Sequence, residues 1–187
     1  MNLFLVGAGG HARPVTEAAM DNGHAVVACA AMDKPDWLDI PVLGDDDPLP
    51  AAASGFVMGL GGADPGALRR RHELFARYAI RSVTPIALVH SRAFVAADVS
   101  VADGAIVLAG AVVNAGAQIS EAVIVNTGAI VEHDAVIEAG AHIAPGAIIL
   151  GSVHIGSCAM VGAGAVVLPG ATVPADALVP SLTRYHH

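Results

Sequence analysis

The pair best suited to moving a proton is His133 beside Asp134, at the end of the run Asn126-Thr127-Gly128-Ala129-Ile130-Val131-Glu132-His133-Asp134. A neutral imidazole takes a proton from an attacking nucleophile, and a neighbouring carboxylate fixes its tautomer and raises its basicity. A solvated histidine next to an acid has the same signature, so spacing to other groups has to separate the two readings. Gly151 lies eighteen residues beyond His133, and His142 lies nine beyond it. A residue without a side chain over the imidazole would leave room for a thin ligand. His133, His142 and His154 are also separated as nine and twelve. A zinc site of the γ-carbonic anhydrase type, held by these three histidines, is the alternative reading although that type uses a closer pair; the expectation is general-base chemistry without a metal.

A second constellation opens the chain. Gly7-Ala8-Gly9-Gly10-His11-Ala12 follows the apolar run Asn2 to Val6. Strand, glycine-rich turn and helix together place backbone amides and a helix dipole where a phosphate can be received. The same glycines also permit close packing of strand and helix. Asp33 follows a second apolar run, Ala25 to Ala30, at the place of a ribose-binding acid; aspartate there is equally common as a turn residue. The acidic run Asp45-Asp46-Asp47, within the Pro- and Asp-rich connection 36–50, reads as a helix start or solvated face rather than a metal cluster.

Positioning these groups requires two kinds of element. Every sixth residue from Val95 to Val173 is Val or Ile, fourteen in succession, and the residue four places after each is Ala or Val. A six-residue period is neither the 3.6 of an amphipathic helix nor the alternation of an antiparallel strand. It is the signature of a hexapeptide β-helix, in which three hexads make a triangular coil of eighteen residues. Fourteen hexads predict about four and two-thirds coils in a rod roughly 20 Å tall. On such a rod, Gly151 stacks on His133. Upstream, the expected order is strand (2–6), helix (12–22), strand (25–30), a short strand near Pro41-Val42-Leu43-Gly44, strand (56–60) and helix (65–79) with a basic face at Arg69, Arg70 and Arg71. This describes a small parallel α/β sheet, whose ligands bind at the carboxyl ends of its strands, here Gly9 to His11, Asp33 and Gly61. The segment 86–94 then delivers the chain into the first coil, with His90 at the entry. The predicted architecture is therefore an α/β N-terminal parallel-sheet, Rossmann-like domain over residues 1–90 followed by a parallel β-helix over 91–187.

Composition excludes several functions. A formal net charge of -8 argues against a nucleic-acid partner. Hydrophobic residues make up 55% of the chain, yet no apolar run approaches the roughly 20 residues of a membrane span. The start lacks the basic flank of a signal peptide, and a cytoplasmic location is expected. Cys29 and Cys158 have neither disulfide-framework nor zinc spacing.

The Gly-Ala-Gly-Gly-His turn, the segment 126–134, His142-Ile143-Ala144-Pro145-Gly146-Ala147 and Gly151-Ser152-Val153-His154-Ile155-Gly156 together resemble the NeuD-like family of sugar O- and N-acyltransferases. The resemblance spans nearly the whole chain in the same domain order. It implies a left-handed coil, a homotrimer with active sites between neighbouring prisms, acetyl-CoA as donor and a sugar or nucleotide-linked sugar as acceptor. It further implies that His133 is the general base and Asp134 its supporting acid, and that His142, Gly151 and Ala163 contact acetyl-CoA. Gly9, Gly10 and His11, with help from Gly61, would hold the acceptor. The chain departs from the family at Ala31-Met32-Asp33, where relatives commonly carry a pair of acids. It also ends at Leu182-Thr183-Arg184-Tyr185-His186-His187, where relatives add a further segment, so contacts to the adenine end of the coenzyme are expected to be reduced or supplied differently. Two further alternatives are a non-catalytic nucleotide-sugar scaffold and a serine acetyltransferase-like enzyme acting on a small free acceptor.

Overall fold

A computed structural model describes residues 1–44 and 47–186; the reading of the acidic run falls, at Asp45 and Asp46, outside the described residues. The chain opens with β1 (Asn2–Val6), α1 (Ala12–Asp21), β2 (Ala25–Ala30), β3 (Val42–Leu43), β4 (Gly55–Met58), α2 (Pro65–Ala79) and β5 (Thr84–Pro85). The strands form one parallel sheet in the order β3-β2-β1-β4-β5. Leu3, Phe4, Leu5 and Phe56 are fully buried, and the Phe4, Phe56, Phe75 and Tyr78 rings pack with centroids 5.7 to 5.8 Å apart. α2 starts where the sequence says it must: Asp64 accepts a hydrogen bond from the Ala67 amide at 2.8 Å, and Pro65 fills the first helical position.

Two details differ from expectation. The third long strand ends at Met58 rather than at residue 60; beyond it the chain passes so close to the first turn that a Cβ on Gly59 would lie 2.1 Å from the Gly7 carbonyl oxygen. The two turns at the carboxyl ends of β1 and β4 touch through bare backbone. The short edge strand β5 was not anticipated, and its proline is tolerated because it lies at the sheet's edge.

From Leu88 onward the chain is a triangular coil of two-residue strands, in three parallel sheets of six, five and six among the described residues. Each strand pairs with those eighteen residues before and after it, as Ile130–Val131 does with Val112–Val113 and Ile148–Ile149. The second residue of each strand points inward, and Val107, Val131, Ile137, Ile149 and Val161 are all inaccessible to solvent. Coil pairing begins at Leu88–Val89, inside the segment assigned to the first domain, and continues to Arg184–Tyr185. The rod is thus longer at both ends than the aliphatic pattern indicated. Tyr185, packed against the interior cluster, takes the inward position in the last strand, where no further coil restricts its size.

The three faces of the prism differ. On the first, the outward residues Leu88, Ile106, Ile124 and His142 are buried, because the N-terminal domain rests on them, with α1 against Leu88–Val89 and Gly62 and His11 against His142. Its contact is close enough that a Cβ on Gly104 would meet the Phe75 ring at 2.2 Å. On the second, Phe94, Val112, Ile130, Ile148 and Val166 form an apolar stripe open to solvent, with Phe94 56% exposed. The third carries Ser100, Gln118, His154 and Thr172, interrupted by Val136.

Candidate functional site

At every sixth residue from 104 to 182 the backbone turns a corner with φ between 53° and 72°. Such a left-handed conformation favours glycine, and glycine fills eight of these positions. Asp134 is one of the six that are not glycine, with φ 60°. Aspartate tolerates this region better than most residues, and here it swings the carboxylate back onto the residue before it. His133 Nδ1 donates to Asp134 Oδ2 at 2.9 Å. The amides on either side are tied down: Asp134 N donates to Ala115 O at 3.1 Å, and Ser152 N donates to His133 O at 2.9 Å.

Two glycines one coil away shape this corner. A Cβ on Gly151 would lie 2.6 Å from both Cε1 and Nε2 of His133, and one on Gly116 would lie 2.5 Å from Asp134 Oδ1. Gly151 therefore stacks on His133 as the eighteen-residue coil requires, but the reading of an open slot above it needs correction: the imidazole itself occupies that space. Gly116 carried no signal on its own, and only the register of the coil reveals its place below Asp134. With Nδ1–H engaged by the acid, the lone pair is on Nε2, which makes no hydrogen bond to any described residue and faces solvent on a side chain 62% exposed. Chemically the corner can accept one proton. Gly151→Ala is expected to push the ring aside by a few tenths of an ångström or more. A crystal structure of the variant should show the displaced ring, with the circular-dichroism spectrum unchanged.

His142 is not part of this corner. It lies in the middle of the first face, 6% exposed, beneath the N-terminal domain. Its Nδ1 donates to Gly62 O at 2.9 Å, so its Nε2 is the acceptor for Asn126 Nδ2 at 3.0 Å. The His11 ring lies 6.4 Å away, centroid to centroid, and packs on Gly61. Arg71, one of the three arginines of the basic face of α2, is buried at 2% exposure and bonds the carbonyls of Leu60 and Ala122, one in each part of the molecule. No carboxylate of the described residues pairs with it. Arg69 does remain outside, paired with Asp176 at 2.7 Å.

Burial, and then the Arg71 charge, push His11 and His142 down to about 4; for His11 the neighbouring His142 adds to this, while the bond to Gly62 partly opposes it at His142. The unfolded chain takes up these protons near 6.5 and the folded one resists them, so stability rises with pH between the two values. The contribution of His142 is complete above pH 6.5 and is lost as the pH falls toward 4, amounting to roughly 3 kcal/mol. Thermal unfolding should show the melting temperature dropping steadily between pH 6.5 and 4, with a shallower slope in His142→Gln.

The remaining candidates fall into two further places. Gly9, Gly10 and Asp33 line a cleft of about 1040 Å³ at the carboxyl ends of β1 and β2. A Cβ on Gly9 or Gly10 would meet nothing within 4 Å, so the turn presents its backbone openly. Trp37 and Arg13 line the same cleft, and neither was singled out in the sequence. Ala163 is exposed at the corner between the first and second faces, whereas His133 is at the corner between the second and third. Within one chain, the structure unites His133, Asp134 and Gly151, and separately His11, His142 and Gly61. It does not bring Ala163 to either group. Nor does it gather His133, His142 and His154, since His154 pairs with Glu138 at 2.7 Å.

Residues 134–169 match the family described as bacterial transferase hexapeptide (six repeats). Over its whole length the chain superposes on PerB from Caulobacter crescentus in complex with CoA and GDP-perosamine, with a TM-score of 0.89 and 31% identity over 91% of that chain. A histidine mutant of perosamine N-acetyltransferase from the same organism, with the same two ligands, matches at TM-score 0.89 and 30% identity, over all of this chain and 90% of that one. The acetyltransferase domain of PglB from Neisseria gonorrhoeae in complex with acetyl coenzyme A matches at TM-score 0.84 and 28% identity, over 99% of this chain and 92% of that one. No match was found among curated protein sequences. A Rossmann-like sheet leading into a left-handed parallel β-helix, with a histidine–acid pair at one corner, defines a hexapeptide-repeat acyltransferase. The chain belongs to the NeuD-like family of sugar O- and N-acyltransferases.

Proposed function

We propose that the protein transfers an acetyl group from acetyl-CoA to an amino or hydroxyl group of a nucleotide-linked sugar, with His133 as general base. The observation that carries this reading is the corner dyad: Nδ1 bound to Asp134, the ring seated on Gly151, and Nε2 left free. The acceptor attacks the thioester carbonyl, Nε2 takes the proton it loses, and a backbone amide of the coil stabilises the oxyanion before the thiolate leaves. Asp134 stabilises the imidazolium so formed and holds the tautomer. Relatives in complex with CoA or acetyl coenzyme A, and with GDP-perosamine, support both substrates. The acceptor's phosphates would be received at Gly9, Gly10 and His11, and its ribose at Asp33.

The active form is a homotrimer. His133 and Gly151 sit on one corner of the prism, and His142 and Ala163 elsewhere, so a site using all four has to be completed by a neighbouring copy. The apolar stripe of Phe94, Val112, Ile130, Ile148 and Val166 is the surface on which that copy would pack. No helix among the described residues is long and apolar enough to cross a membrane; the reading carries a cytoplasmic location. Thiol release from acetyl-CoA, measured against UDP-, GDP- and dTDP-linked amino sugars and free sialic acid, tests the proposal. Turnover with one nucleotide-linked acceptor is expected. Failure to bind acetyl-CoA in a calorimetric titration would leave a non-catalytic scaffold instead.

A further inference from the structure

The cleft above β1 and β2 contains groups that acyl transfer does not use. Trp37 is the chain's one tryptophan, half-buried in the cleft wall. Its indole N–H donates to Ala8 O at 3.3 Å, which ties the connection after β2 to the glycine-rich turn. The Arg13 guanidinium carbon lies 5.2 Å from the indole centroid, and Arg13 Nη2 is 3.9 Å from Asp36 Oδ1. An indole held by a hydrogen bond and a cation is a preorganised flat surface, and one that lines a cavity beside an open phosphate-receiving turn is suited to a nucleobase. Stacking on an aromatic ring holds any base, so selection needs a second group. Asp36 supplies it: the carboxylate adjoins Trp37 in the chain, lines the same cleft, and is held only loosely by Arg13. A carboxylate can accept two parallel hydrogen bonds from the N1–H and amino group of guanine. Adenine offers a lone pair at N1, and uracil and thymine set a carbonyl on each side of their single N–H, so each opposes the carboxylate.

Resting on the reading of a nucleotide-linked acceptor, we propose that Trp37 is the platform for the acceptor's base and that Asp36 selects guanine. The Ala31-Met32-Asp33 segment, where an acid pair is missing, then matters less, because the base is recognised further along the same connection. The sole tryptophan makes this directly measurable. Titrating GDP into the full-length protein should quench or shift the tryptophan emission saturably, with GDP bound at least about tenfold more tightly than ADP, UDP or dTDP. By calorimetry, Trp37→Leu should weaken GDP roughly 5- to 150-fold, the equivalent of one lost base stack. Trp37→Phe should recover most of that loss, and Asp36→Asn should abolish the preference for GDP over UDP. Acetyl-CoA binding, measured alongside, should be unchanged in all three variants and so reports that they fold. GDP affinity unaffected by Trp37→Leu, or UDP bound as tightly as GDP by the wild type, overturns the proposal while the acetyltransferase reading stands. If no nucleoside diphosphate binds the wild type, the nucleotide-linked acceptor falls together with the platform.

Discussion

His133→Ala is expected to lower turnover by about 10²- to 10⁴-fold, the usual contribution of a positioned general base, while the rod stays folded. The side chain contributes nothing to the prism interior. It is mostly exposed, and its one hydrogen bond runs to Asp134, whose carboxylate is equally exposed, so the pair adds little to stability. The backbone bonds from Ser152 to His133 and from Asp134 to Ala115 survive the substitution. His133→Asn, which keeps a polar side chain but no base, should fall as far as the alanine variant. Asp134→Asn isolates the charge, since asparagine adopts the left-handed corner as readily as aspartate; it should cost less than removal of the imidazole. Steady-state thiol release, with circular dichroism as the control, checks the series. Full turnover in His133→Ala would remove the proposed base.

The second large effect concerns two neighbouring residues with opposite outcomes. Ile149 points into the prism and is inaccessible to solvent, stacked between Val131 and Val167. Ile149→Asp would place an unpaired carboxylate there, with no polar partner among the interior Val, Ile and Ala side chains. The effective cost of burying such a charge is several kcal/mol, comparable with the roughly 5–15 kcal/mol that holds a domain together. We expect no cooperatively folded protein on heating or in denaturant. Ile148, one residue earlier, faces outward on the apolar stripe. Ile148→Asp should leave the coil folded, with an unchanged β spectrum, but shift the sedimentation coefficient from that of the proposed trimer to that of a monomer and reduce turnover with it. An Ile148→Asp protein that remains trimeric would place the interface on another face.

How much of this was legible depends on the range of the interaction involved. The coil was legible because its period is set locally: each inward aliphatic meets the residues eighteen before and after it, so one rule repeated along the chain describes the whole interior. The same rule placed Gly151 on His133. It did not show that the glycine is filled by the ring, which depends on the imidazole's rotamer. The ends of the coil were missed because a capping coil has fewer neighbours to satisfy and can accept Tyr185. The burial of Arg71 was not legible because a helix face is exposed or buried according to what lands on it, and nothing in Arg69-Arg70-Arg71 says that the corner at Ala122, in the second coil, lands on the third arginine.

The amino-acid sequence by itself determined the triangular coil, the parallel α/β sheet before it and the histidine–acid pair, because β-branched spacing, glycine turns and adjacent residues act over short distances along the chain. Only the tertiary structure decided that His142 joins His11 beneath the sheet domain while His133 stands open at a corner, and that Trp37 closes the wall of the cleft. Those placements depend on one domain resting against one face of a prism whose three faces look alike in the repeat, and that choice is made by side chains far apart in sequence.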